Sequence, residues 1–343
     1  MRLRRNATSH LLAAVGIAVA GCTHGDARSE LDVERRAADV AALETVWTAE
    51  AVQAFLTLAP ALNAVVGAGP GSPAVADVLL PATGGAAAPA DLRTAAGRYT
   101  RTLREFLAGR TDPGGSAVLL PSNRLGTTWV WSERNDGYRA GREAAPDDRI
   151  RFVLYAVDSG GVATPLTPIG HVDLVERSSG ATDAVQVVVV AGGTTWLDYR
   201  FSATTSVSGG RVDVLGYVTD GAERLNFDLR NTVAPGVDGF SLSSDNQLEL
   251  VARSVDVAYS VVMTADPAAP AHAALTVVVN GERYGRVTWD EGSASALEGA
   301  AGAADATPSA ADARALEQAT GIWSYGLATI DVLARPIGGF FAL

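Results

Sequence analysis

The chain has 343 residues, with 27 basic side chains against 38 acidic ones and a formal charge of −11, a balance that disfavours nucleic acid as a partner. Every one of those basic side chains is arginine, so Schiff-base lysines and phosphate-loop lysines are excluded. A single cysteine rules out an internal disulfide, which leaves core burial to supply stability, and a chain this long can build such a core.

Arg2, Arg4 and Arg5 open the chain, Leu11 to Ala20 form an apolar run of about ten residues, and the small Ala20 and Gly21 precede Cys22. This is the layout of a secretory signal peptide over residues 1–21, and the run falls short of the roughly 20 residues that a membrane-crossing helix needs. Val19-Ala20-Gly21-Cys22 resembles the lipobox of bacterial lipoproteins, a likeness confined to the first two dozen residues. The resemblance implies a diacylglyceryl group on the Cys22 thiol, cleavage before that residue and acylation of the new N-terminus with a palmitate-like chain. The partner so implied is the membrane, reached through acyl chains without spanning it. Thr23, where family members retained at the inner membrane carry aspartate, implies sorting from the periplasm to the outer membrane in an organism that has one. Two readings compete. Cleavage by the ordinary secretory peptidase would leave a soluble exported protein, and Arg4-Arg5 could belong to a twin-arginine signal, although Asn6-Ala7 follow where that motif prefers apolar bulk.

Residues 22–30 are polar and short, a tether. A helical segment spans 31–112: Val33, Ala37, Val40, Leu43, Val46 and Trp47 recur at three- and four-residue steps from Leu31 to Val66, with a kink expected at Pro60. A Gly/Ala/Pro linker follows over 67–90. Asp91 caps a second helix that carries Leu92, Ala95, Tyr99, Leu103, Phe106 and Leu107 to Gly109.

From 113 to 290 the chain reads as short strands broken by turn residues, an antiparallel β-meander of about 10–12 strands. Turns this frequent leave no room for the crossovers that parallel neighbours need. Around Asp220-Gly221, a two-residue loop sets Val212 opposite Leu229, Val214 opposite Phe227, Asp213 opposite Asp228 and Arg211 opposite Arg230. Around Asn280-Gly281, an extra residue in the turn with Gly281 as the bulge sets Leu275 opposite Val287, Ala273 opposite Trp289 and Thr276 opposite Arg286. In that arrangement Val279 does not face Glu282. A second linker covers 291–309. The segment 310–343 holds a last helix, Ala310 to about Ala334, whose Leu316, Ile322, Trp323, Leu327, Ile330 and Leu333 make it apolar enough to be buried. The fold class is mainly β (α+β), a curved sheet or open half-barrel with N-terminal and C-terminal helices packed on one face. In element order alone that outline is similar to the periplasmic lipoprotein carriers that cradle acyl chains.

Chemistry-bearing residues are sparse. Of the four histidines, His10 and His24 lie before the domain, and His171 and His272 are isolated, so no metal set forms. Neither H-E-x-x-H nor G-x-S-x-G occurs, and no cofactor is implied. Facing Asp213 and Asp228 could share a proton or bind a cation, yet diagonal pairing with Arg230 and Arg211 is the favoured reading. Asp238, Asp245 and Glu249 lack the spacing of a calcium loop. Trp129 and Trp131 share a strand face, where they either pack in the core or stack on a sugar or partner, core packing being favoured. Glu133 to Arg151 holds five arginines and five acids, a self-compensating surface. The expected function is non-enzymatic: a lipid-anchored envelope protein binding an apolar ligand, a lipid or an envelope protein. The alternatives are a structural or assembly lipoprotein without a cavity, and an enzyme using paired carboxylates.

Overall fold

A computed structural model describes residues 119–298, apart from positions 136, 158–162, 207–208, 236–239, 267–268, 281 and 291–295, together with parts of 42–65 and 325–337. The expected signal segment, tether, linker over 67–90, helix over 91–109 and first part of the last helix lie outside the described residues, as do Pro60 and Asp238.

The strands are β1 (Thr127–Ser132), β2 (Gly137–Ala144), β3 (Arg149–Val157), β4 (Ala163–Glu176), β5 (Thr182–Ala191), β6 (Thr194–Ser206), β7 (Gly209–Thr219), β8 (Arg224–Pro235), β9 (Phe240–Leu250), β10 (Val255–Asp266), β11 (Ala269–Val279), β12 (Glu282–Asp290) and β13 (Ala296–Glu298). They form one open sheet in which each strand from β3 to β13 lies beside its sequence neighbours, with order β3-β1-β2 at one end. This is the curved, mainly β meander expected. The short β13 adds a strand inside the segment read as a linker, pairing Val287 with Leu297.

One pair departs from the antiparallel expectation. β1 runs parallel to β3, with Thr128 beside Arg151 and Trp129 beside Phe152. The crossover is β2 itself: it folds back on β1 at the sheet edge, and a turn through Asp147 and Asp148 returns the chain to the other side of β1. Arg149 and Ala145 fix that return, because the Arg149 carbonyl accepts the Gly126 N–H at 2.9 Å and the Ala145 N–H reaches the Gly126 carbonyl at 2.9 Å.

Period-two alternation assigns the two faces. On β7 and β8, Val212, Val214, Val218, Leu225, Phe227 and Leu229 are buried, while Arg211, Leu215, Arg224 and Arg230 between them are exposed. The buried, inner face carries the helices. Helix α1 (Glu50–Leu56) presents Val52 and Phe55 to the sheet, both at 0 % exposure, and the Phe55 ring meets Tyr199 edge-on at 6.4 Å. From the C-terminal helical residues, the Leu333 carbonyl accepts the Tyr199 hydroxyl at 2.7 Å. That full enclosure pushes the Tyr199 hydroxyl pKa well above its ordinary value.

The described helical residues before Glu50 give way at Val46–Thr48 to a 3-10 turn, followed by an extended Ala49 with ψ 133°. There Trp47 turns out to stack on Phe227 at 6.4 Å and donates its indole N–H to the Tyr325 hydroxyl at 2.6 Å. Gln53 then caps the exposed Trp47 carbonyl at 2.7 Å.

Candidate functional site

On the outer face the charged side chains stand in cross-strand rows. Asp213, Arg230, Asp245, Ser260, Thr276 and Arg286 occupy successive register positions from β7 to β12. The facing pair Asp213/Asp228 expected from the sequence does not form, since Asp213 lies opposite Arg230 and Asp228 opposite Leu215. The hairpin register is shifted by two residues because its turn holds Asp220 to Glu223 rather than two residues. Within the turn, Asp220 Oδ1 accepts the N–H groups of Ala222 and Glu223 at 2.9 and 2.7 Å, and Gly221 takes φ +91°. The nearly buried Glu223 carboxylate then accepts the Arg224 and Ala252 N–H groups, each at 2.9 Å, and ties the turn to its neighbour. The arginines also pair differently from the diagonal expectation. Arg211 Nε binds Asp213 at 2.6 Å and Arg230 binds Asp228, each along its own strand.

The Asn280 hairpin keeps the expected pairs Leu275–Val287, Ala273–Trp289 and Thr276–Arg286, but Val279 does face Glu282. The extra residue sits inside β12, between the Val277–Gly285 and Val278–Arg283 pairs, not in the turn. Asn280 adopts φ +50°, and its Oδ1 accepts the Asp256 N–H at 2.8 Å, which holds a tight turn against β10.

At the other end of the outer face, Asp173 on β4 is nine-tenths buried between two arginines of β3. Arg151 Nε donates to it at 2.6 Å and Arg149 at 3.1 Å. Burial pushes the Asp173 carboxyl up, but hydrogen bonds from Arg151 and Arg149 outweigh it and hold the carboxyl below its ordinary value. His171 stands 3.9 Å from the same carboxylate. Its imidazole is held below its ordinary pKa by burial first and by Arg151 second. His272 lies on β11 opposite Asp290. Among the described residues no group of His, Cys, Asp and Glu could hold a metal, and no helix is long and apolar enough to cross a membrane.

Trp129 packs inward at 6 % exposure, stacked on Phe152 at 6.2 Å with Arg124 5.0 Å above its ring. Trp131 is half-buried and meets Tyr138 edge-on at 5.6 Å. Burial, then the neighbouring Tyr155, raises the Tyr138 hydroxyl pKa above its usual range, and this hydroxyl donates to the Val153 carbonyl at 2.7 Å.

Two features converge on β8–β11. A trough of about 290 Å³ lies among Asp228, Arg230, Asp245, Gln247, Ser260 and Thr276, with the small Ala258 between the larger side chains. Behind it, four polar residues interrupt the apolar inner face: Asn231 opposite Ser244, and Asn246 opposite Tyr259. The Ser244 hydroxyl donates to Asn231 Oδ1, and Asn246 Oδ1 accepts the Arg230 N–H at 3.0 Å. Sequence reasoning passed over this patch. Its signal is nevertheless present, because Asn231 falls in the inward row Leu225, Phe227, Leu229, Asn231, Val233, and Ser244 and Asn246 fall in the row from Leu242 to Leu250.

No family model matches the chain, and no curated protein or solved structure matches it.

Proposed function

We propose that the protein is a lipoprotein of the cell envelope, anchored by acyl chains on Cys22, whose sheet binds an apolar ligand at its inner face without catalysing a reaction. The observation that carries the anchor is the Val19-Ala20-Gly21-Cys22 segment behind a short apolar run and an arginine start. With Thr23 after the cysteine, the destination is the outer membrane wherever the organism has one. Binding at the inner face is supported by its long apolar rows. The absence of catalysis is supported by the outer carboxylates, which are already engaged: Asp173 holds two arginines, and Asp213 and Asp228 hold one each. A carboxylate so paired is a poor proton acceptor.

Labelling cells with radioactive palmitate tests the anchor. The wild-type chain should carry label and fractionate with membranes, and Cys22→Ala should carry none and stay unprocessed. An unlabelled wild-type chain would sink the anchor.

A further inference from the structure

The four inner-face polar residues of β8, β9 and β10 are enclosed, with Asn231 at 0 %, Ser244 at 2 %, Asn246 at 6 % and Tyr259 at 3 % exposure. Asn231 Oδ1 has the Ser244 hydroxyl, but Nδ2 has no hydrogen-bond partner. Turning the amide over does not cure this, since Nδ2 would then meet Ser244 and Oδ1 would be left alone. An amide group left without a partner in an interior is destabilising. Leucine or valine would avoid that cost, and both flank the position at Leu229 and Val233.

We propose that Asn231 marks the polar end of a binding site for an acyl ester, whose carbonyl oxygen accepts from Nδ2 and whose hydrocarbon lies along the neighbouring apolar rows. The inference rests on the proposed apolar-ligand role and names the ligand's chemistry. The unpartnered group is a neutral donor, so its complement is an acceptor. Its surroundings decide which acceptor. Val212 faces it on β7, beyond Ser244 the same cross-strand row continues through Val261 on β10 and Leu275 on β11, and no arginine or histidine occupies the described inner-face positions of β8 to β10. A carboxylate placed there would be an unpaired buried charge, whereas an ester carbonyl brings no charge. Because Asn231 has no solvent contact, the ester reaches it only as the packing over this face loosens. Association is expected to be slow for that reason.

The test uses the full chain carrying Cys22→Ala, so that no acyl group of its own competes, titrated by calorimetry with dioctanoylglycerol and, separately, with octanoate. The ester should bind at one to one and octanoate at least ten-fold more weakly. Asn231→Leu should lose at least ten-fold in ester affinity with an unchanged or raised melting temperature. No ester binding, octanoate binding as tight as the ester, or a folded Asn231→Leu that binds like its parent would each overturn the proposal. Should that variant not fold, side-chain amide NMR of the parent decides. The ester should shift the Asn231 amide protons and leave those of Asn226, on the outer face, in place, and an unmoved Asn231 signal overturns the site. Palmitate labelling at Cys22 reads the anchor independently, and a protein that binds octanoate but ignores the ester sinks this inference while keeping the apolar-ligand role.

Discussion

Asp173 shows how one side chain organises the outer face. It is the buried member of a three-charge group, while Arg149 and Arg151 keep 29 % and 27 % of their side chains in contact with water. Replacing it by asparagine removes the buried charge and leaves two arginines that can turn to solvent, which limits the damage. Asp173→Asn should therefore cost about 2 kcal/mol in urea unfolding at neutral pH, below the 3–5 kcal/mol typical when a charge is stranded in the interior. The pH dependence has a definite sign. Folding holds this carboxyl below its ordinary value, so its contribution is fully present above about pH 4 and is lost as pH falls through the folded pKa. Wild-type and variant stabilities should converge in that acid range. A gap that persisted there would assign the effect to packing. His171 acts in the same direction: its imidazole is held below the ordinary value, so protonation below about pH 6.5 favours the unfolded chain.

At the scale of elements, β7 illustrates why the sheet's inner face tolerates only certain residues. Its inward row runs Val212, Val214, Gly216, Val218, and Gly216 lies between Tyr199 of β6 and Phe227 of β8. A Cβ there would come within 2.2 Å of the Asp198 carbonyl oxygen and 2.5 Å of Tyr199 Cα. Gly216→Ala must push β6 and β7 apart, because the clash is with the β6 backbone, and a loss of about 3 kcal/mol is expected in chemical unfolding. A loss under about 1 kcal/mol would show that the strands yield freely. The same strand shows how far the sequence was legible. Its alternation correctly separates buried Val212 and Val214 from outward Arg211 and Asp213, yet the pairing derived from it was two residues off. A shift of two leaves every residue on its own face, so periodicity cannot distinguish the registers. The choice is made by Asp220 and Glu223, whose carboxylates close a longer turn. Likewise the Asn280 side chain holds its turn against Asp256, and the bulge falls inside β12. Both contacts join groups far apart in the chain or hidden in side-chain geometry, and neither leaves a pattern in composition. The patch around Asn231 was missed for another reason: single polar residues in apolar rows look like strand irregularities until neighbouring strands bring them together. At the sheet edge, β2 exposes Arg139, Arg142 and Glu143, charges of the kind that discourage a further strand from adding there.

At the scale of the whole molecule, the two ends of the described chain meet over the sheet. The Tyr325 hydroxyl accepts from the Trp47 indole and donates to the Leu43 carbonyl, both at 2.6 Å, the second contact joining residues 282 positions apart. Tyr199 adds a second link to the C-terminal segment through the Leu333 carbonyl. Contacts of such separation close the longest loops and tend to form late in folding. If the terminal segments fold together with the sheet, Tyr325→Phe should lower stability by about 1–2 kcal/mol, since it strands the indole N–H and the Leu43 carbonyl. In that case the unfolding midpoint should fall equally whether read by tryptophan fluorescence or by far-ultraviolet dichroism. The loss should appear chiefly as faster unfolding, because a contact made after the rate-limiting step does not slow folding. Tyr199→Phe should behave alike, and the two losses should add, since the hydroxyls share no partner. A fluorescence transition that moved to lower urea while the dichroism transition stayed in place would show the opposite arrangement. The ends would then be a separately unfolding cover over the part of the inner face that Tyr199 and Phe227 occupy.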